Sequence, residues 1–340
     1  YFFDASYYDT SGDKATGYGL KDKLLFKNSI KYLQSLQQPF YAKYITVTNH
    51  FPYTLDDEDK DPNFQTTNTG DSNVDNYFVT AHYLDQSIQE FFNYLQKTGL
   101  DKKSIIMIYG DHYGISNSEN TSLASVLGKS ADDWTDFDNA QLQRVPLMFV
   151  IPGTGHGKVY HTYGGEVDVL PTLLHLLGIS SKRYIQFGTD LFSSKHNQVV
   201  AFRNRDFVTP TYTSVGGTIY NNKTGKEAKL TKKQQEKLKK DQEFVNEELT
   251  LSDSLNEKNL LRFYHPKGFK NVNPADYNYS NGLKRAQRIE KKKGIKSTSI
   301  YSENGDRSTV DDYSTDAPEQ NHSSTDSNRI KITNPDANNK

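Results

Sequence analysis

Asp111 and His112 stand side by side in the stretch SIIMIYGDHYGISN, residues 104–117. A carboxylate oxygen next to an imidazole nitrogen suits a divalent cation such as Mn2+, Mg2+ or Zn2+. The pair follows Ile105–Tyr109, an unbroken run of β-formers that reads as a buried strand of a parallel sheet. Gly110 breaks the run, and Gly114 permits a second turn soon after. Ligands of open α/β sheets gather beyond the carboxyl ends of strands, where this pair falls. A second candidate strand over residues 40–48 ends at Asn49-His50-Phe51-Pro52 and brings His50 to the same rim. Polar groups converging from separate strand ends are what a site requires. Two donors do not fill a metal's coordination shell, however, and the sequence places no further carboxylate beside them.

Several elements must hold that rim in place. VDNYFVTAHYLDQSIQEFFNYLQKTGL has apolar residues at 74, 77, 78, 81, 84, 88, 91, 92 and 95, the spacing of a long helix closed by Gly99. A short helix is expected near 119–127, and VPLMFVIPG reads as a third strand. DVLPTLLHLLGI reads as a helix ended by Gly178, with Asp168 as N-cap and Pro171 in its first turn. Strands alternating with helices predict an α/β fold with a parallel sheet and helices on its faces. Past residue 200, YTSVGGTIYNNKTGKE is hairpin-like, and TKKQQEKLKKDQEFVNEELTLSDSL is a charged, exposed helix. From 281 onward the chain is poor in apolar residues and reads as a disordered polar tail. Its basic block, NGLKRAQRIEKKKGIKS, could touch an anionic polymer or a membrane surface, although a solvated tail is the plainer expectation.

A net charge of -1 over 340 residues argues against a general nucleic-acid binder, and the absence of Cys excludes disulfides and a thiol nucleophile. No run of 18 apolar residues suggests a membrane span. The chain opens on YFFDASYYD without a Met or a signal peptide, and reads as part of a longer protein. His82 and His175 fall inside helices as core or boundary residues, while His156, His161, His196 and His265 lie on loops with no evident partner. Arg144, just before a strand, is expected to pair structurally. No Ser sits in a nucleophile elbow, so an internal Ser-His-Asp triad is not expected.

The segments YGDHYG, TNHFPY, DNAQLQRVPL and VDVLPTLLHLLG together resemble proteins of the alkaline phosphatase/sulfatase-type fold. FFDASYYD, DNYFVTAHYLDQSI and RFYHPKGFK narrow the resemblance to the lipoteichoic acid synthase family, from residue 1 to about 278. The resemblance implies a parallel-sheet sandwich with helices on both faces. Residues 1–200 would be the C-terminal portion of the catalytic domain, 201–280 a small α+β subdomain and 281–340 the tail. It implies a protein anchored in the cell membrane by upstream helices, with an extracellular catalytic domain that moves glycerol phosphate from phosphatidylglycerol to a growing polyglycerolphosphate chain. The implied cofactor is Mn2+ or Mg2+. By position Asp111 and His112 match the metal-binding pair, His50 matches the His that binds the glycerol-phosphate group, and Tyr113 lies beside that pocket. The family's Thr nucleophile, a Glu metal ligand, and a Trp and an Arg that cradle the phosphate would lie before Tyr1. Trp134 does not match that Trp. The isolated chain is therefore expected to be inactive. Two other readings stay open: a sulfatase or phosphodiesterase-type hydrolase of the same fold, and a non-catalytic module that holds an anionic wall polymer.

Overall fold

The computed structural model describes residues 1–155, 157–270, 273, 275 and 279–321; His156 and residues 322–340 lie outside them. Strands β1 (Ala15–Thr16) and β2 (Gly19–Leu20) pair antiparallel and lead into helix α1 (Asp22–Leu33). The predicted long helix forms as α2 (Ser72–Lys97), its first turn capped by the Asp71 carboxylate, which accepts from the amides of Asn73 and Val74. It ends at Gly99, whose φ of 71° lies in the left-handed region. Phe26, Ile30 and Leu33 of α1 pack against Tyr94 and Leu95 of α2 and against Leu100, and this core positions everything at the rim.

Strand β3 (Ile106–Tyr109) carries the Asp-His pair at its end, and after helix α3 (Asp136–Gln141) the chain returns as β4 (Leu147–Val150). These two strands pair antiparallel, with Tyr109 opposite Leu147 and Ile106 opposite Val150. The parallel arrangement expected for them is corrected here, because residues 110–146 turn back at the rim instead of crossing a sheet face. The Gly110 amide donates to the Pro146 carbonyl at 3.1 Å, and a Cβ on Gly110 would lie 2.8 Å from the Val145 Cβ. Only glycine permits that approach.

The expected strand over 40–48 finds no ladder partner among the described residues. Near its end the Asp22 carboxylate takes the place of one, accepting from the amides of Val47 at 2.9 Å and Thr48 at 3.3 Å. The short helix near 119–127 is reduced to a 3-10 turn at Asn120–Leu123.

Helix α4 (Val169–Leu176) is followed by Gly178 at φ 67°. Asp168 occupies the N-cap position, but its carboxylate does not bond the first turn; it accepts from the amides of Gly165 at 2.8 Å and Thr189 at 2.6 Å, fastening the turn before the helix to a distant loop. Beyond residue 200, β5 (Val200–Ala201), β6 (Phe207–Val208), β7 (Tyr212–Val215), β8 (Thr218–Asn221) and β9 (Lys226–Glu227) form an antiparallel meander. Helix α5 (Lys232–Glu257) lays Leu238 and Val245 against Val199 and Phe207.

The tail expectation needs a second correction. Residues 282–320 fold into α6 (Gly282–Lys293), α7 (Ile300–Glu303) and short turns that wrap over α1 and α2. Ile300 and Tyr313 join the α1–α2 core, and Glu319 is buried against Lys21 and Asp59. Low apolar content was compatible with this because much of the docking is polar: Gln34 accepts from the Thr309 amide at 2.8 Å, and Tyr94 shares a 2.8 Å hydrogen bond with the Thr309 hydroxyl.

Candidate active site

Beyond Tyr109 the chain leaves the ladder, and the side chains of Asp111, His112 and Tyr113 emerge into solvent at the rim. His112 is oriented by its own loop: Nδ1 lies 2.7 Å from the Tyr113 carbonyl. A carbonyl only accepts, so Nδ1 carries a proton, and in the neutral ring Nε2 keeps a lone pair. That Nε2 stands 3.8 Å from Asp111 Oδ1. Two donors at this separation can both reach one cation held about 2.1 Å from each. The residues present therefore fit a metal ion in part. No set of three or more His, Cys, Asp or Glu side chains able to hold one occurs among the described residues.

His50 comes to the same place from the other chain segment, its ring centroid 5.7 Å from that of His112 and nearly perpendicular to it. Its Nδ1 is likewise fixed, 2.9 Å from the Phe51 carbonyl, and its ring packs on Tyr18 at 4.5 Å. Below it, the Tyr53 hydroxyl donates to the Gly114 carbonyl at 2.5 Å, tying the His50 turn to the loop that carries Asp111 and His112. Gly114 lies so close to Tyr77 that a Cβ would sit 2.5 Å from the ring. All four residues singled out from the sequence, Asp111, His112, Tyr113 and His50, thus occupy one patch.

The family described as Sulfatase matches residues 1–179, more than half of the chain. The chain belongs to the sulfatase family. Within it, the chain is 53% identical over 279 residues to lipoteichoic acid synthase 2 of Bacillus subtilis, a match covering 82% of this chain and 42% of that protein. It spans well under half the length of that relative. Among solved structures it resembles the lipoteichoic acid synthase LtaP from Listeria monocytogenes, with a TM-score of 0.61 and 26% identity over 72% of this chain and 61% of that one. A protein of the alkaline phosphatase superfamily from Vibrio parahaemolyticus shares the fold, with a TM-score of 0.54 and 17% identity over 77% of this chain and 60% of the other. The fold is thus the α/β fold of the alkaline phosphatase/sulfatase superfamily.

In this sulfatase-family chain the Asp-His pair opens onto a cleft of about 1460 Å³, walled by residues 109–113 at the end of β3, by β4 and by residues 157–166. Arg144 lines it, and its side chain donates from Nε to the Gln141 carbonyl at 3.1 Å, with no ion pair among the described residues. Glu166 lines it too. Desolvation against the cleft wall raises the Glu166 carboxyl above its usual range, the Asp111 charge pushes it the same way, and His112 opposes both. Nothing in the sequence marked Glu166, since it reaches the pair only through the fold.

Three other histidines have structural partners. His196 bridges the Thr189 hydroxyl and the Tyr163 carbonyl, both at 2.6 Å, and so props the cleft wall. His82 bonds Asp61 at 3.0 Å and stacks on Phe64, and His175 bonds Asp190 at 2.8 Å. Trp134 points away from the cleft region into a small core with Val74, Ile115 and Leu123, its Nε1 donating to Asn139 at 2.9 Å.

Proposed function

We propose that the chain is the C-terminal portion of the catalytic domain of a metal-dependent glycerophosphotransferase, which moves glycerol phosphate from phosphatidylglycerol to a growing polyglycerolphosphate chain at the outer face of the cell membrane. The observation that carries this reading is the meeting of Asp111, His112 and His50 at one strand end, in a chain so similar to lipoteichoic acid synthases. Asp111 and His112 would hold Mn2+ or Mg2+, which when bound supplies Lewis-acid stabilisation of phosphate charge. A threonine of the parent protein, outside residues 1–340, would supply the nucleophile. Its oxygen would form a bond to phosphorus as the bond to diacylglycerol breaks, leaving a glycerophosphoryl-threonine for the acceptor hydroxyl.

The residues of this chain do defined work in that scheme. The Tyr113 carbonyl holds the His112 ring with Nε2 outward. His50 is turned so that Nε2 faces away from the Phe51 carbonyl, and donating to a phosphate oxygen from that atom requires the imidazolium form. Such a donor stabilises charge that builds on the phosphate oxygens.

The test is release of diacylglycerol from phosphatidylglycerol by the parent protein with Mn2+ present. Asp111→Ala should abolish release, and a chelator should do the same. Turnover persisting under either condition would refute the assignment. Polymeric product distinguishes transfer from hydrolysis, in which free glycerol phosphate would accumulate. The 340-residue chain alone should release nothing above a blank, because losing a nucleophile costs about 10⁶ in rate in a well-studied protease.

A further inference from the structure

Helix α6 presents a basic face. At about 100° per residue, Lys284, Arg285, Arg288, Lys291 and Lys292 fall within roughly one-third of its circumference. All five are exposed, and Lys284, Arg288, Lys291 and Lys292 form no ion pair among the described residues. The guanidinium of Arg285 lies over the Tyr1 ring. The opposite face is bound firmly to the domain. Gly282 and Ala286 are buried, the Gly282 amide donates to the Tyr7 hydroxyl at 2.9 Å, and the one acidic side chain of the helix, Glu290, turns inward. There it accepts from Gln37 at 2.6 Å and from the Ser299 hydroxyl at 2.9 Å. Acid is thus sequestered on the inner side while base is left on the outer one.

At the end of the helix Gly294 takes a φ of 51°, and the turn it begins sets Ile295 fully into solvent between Lys293 and Lys296. A fully exposed branched aliphatic side chain amid cations is costly in water and useless against a soluble polyanion. It is the combination with which amphipathic segments hold an anionic lipid surface: cations meet the headgroups and an apolar side chain enters the acyl boundary. We propose that α6 and the turn at Ile295 form a peripheral docking surface for membranes rich in anionic phospholipid. This contact is independent of the reaction at Asp111 and His112.

The experiment is co-sedimentation of the 340-residue chain with phosphatidylcholine vesicles, with and without about one-third phosphatidylglycerol. Binding should require the anionic lipid and should weaken as added salt shortens the screening length from about 10 Å to about 3 Å. The triple variant Lys291→Ala, Lys292→Ala, Lys293→Ala should bind about a hundredfold more weakly, at about fivefold per cation near the surface. Ile295→Ser should also weaken binding several-fold, with every charge intact. These residues are all exposed, so each variant should keep the wild-type circular dichroism spectrum. Equal binding to both vesicle types, or no loss in the triple variant, would overturn the proposal. So would wild-type vesicle binding by Ile295→Ser, which would leave only charge at work and make a soluble polyanion such as inorganic polyphosphate the better partner.

Discussion

His50 and His112 share one local device, an Nδ1 held by the carbonyl of the following residue, and this leaves both Nε2 atoms free for other partners. Exchanging His50 for Ala should therefore remove a phosphate contact without loosening the fold, lowering kcat/KM in the parent protein by roughly 10²-fold. Steady-state kinetics and a melting curve on the same sample decide it: wild-type kinetics or an unfolded variant would assign His50 a purely local role. At this scale the sequence was informative where chemistry is local. A Gly-bracketed Asp-His pair at a strand end announces itself, and so does a His at the end of a second extended run. Glu166 and the Tyr18 ring behind His50 were not legible, because each meets the site through contacts between segments far apart in the chain.

Elements show a sharper division. Helix α2 was legible because nine apolar positions repeat with the period of a helix. Strand direction was not, since alternation and β-propensity say nothing about which way a neighbour runs. The decisive residue was Gly110, whose missing Cβ lets Val145 and Pro146 close on it. Gly110→Ala should destabilise the fold by about 1–3 kcal/mol, the cost of overpacking. Denaturant titration would show this, and an unchanged midpoint would mean that the rim relaxes freely.

Asp22 provides a second test at this scale. It is fully buried at the start of α1, one carboxylate oxygen finds no partner among the described residues, and burial raises its pKa to about 6, against the opposing pull of the Val47 and Thr48 amides. An unfolded Asp titrates near 3.9, so between about pH 4 and about pH 6 the folded state binds more protons than the unfolded one. Stability is then greatest at the acid end of that window and falls by about 2–3 kcal/mol as pH rises through it. Glu90, raised by burial to about 7, acts with the same sign. Asp22→Asn should flatten the lower part of the profile, and urea midpoints at intervals across it would reveal a failure to do so.

For the molecule as a whole, the C-terminal wrap is the feature that composition concealed. Its anchors are few and mostly polar, and a count of apolar residues could not see that Ile300, Thr309, Tyr313 and Glu319 each meet a prepared place on or beside α1 and α2. The Lys21 ammonium, opposed by burial, is held in its charged form by Asp56, Asp59 and Glu319. Glu319→Gln should cost about 1–3 kcal/mol, since two carboxylates remain for Lys21. Deleting residues 282–340 should cost more than about 5 kcal/mol, comparable to the whole stability of a domain. A deletion variant that melts like the intact chain would show the wrap to be incidental.

The hydrogen bond from Lys21 to Glu319 joins residues 298 positions apart. A chain leaving the ribosome exposes α1 long before its last partner exists, and closing so long a loop is slow. Until then Lys21 and Asp59 must stay hydrated and the α1–α2 surface that receives Ile300 and Tyr313 stays open. The core is thus left incomplete until residue 319 has been made. A ribosome that stops early would release a product with an unclosed apolar face and a stranded cation, and those are features by which proteases select substrates.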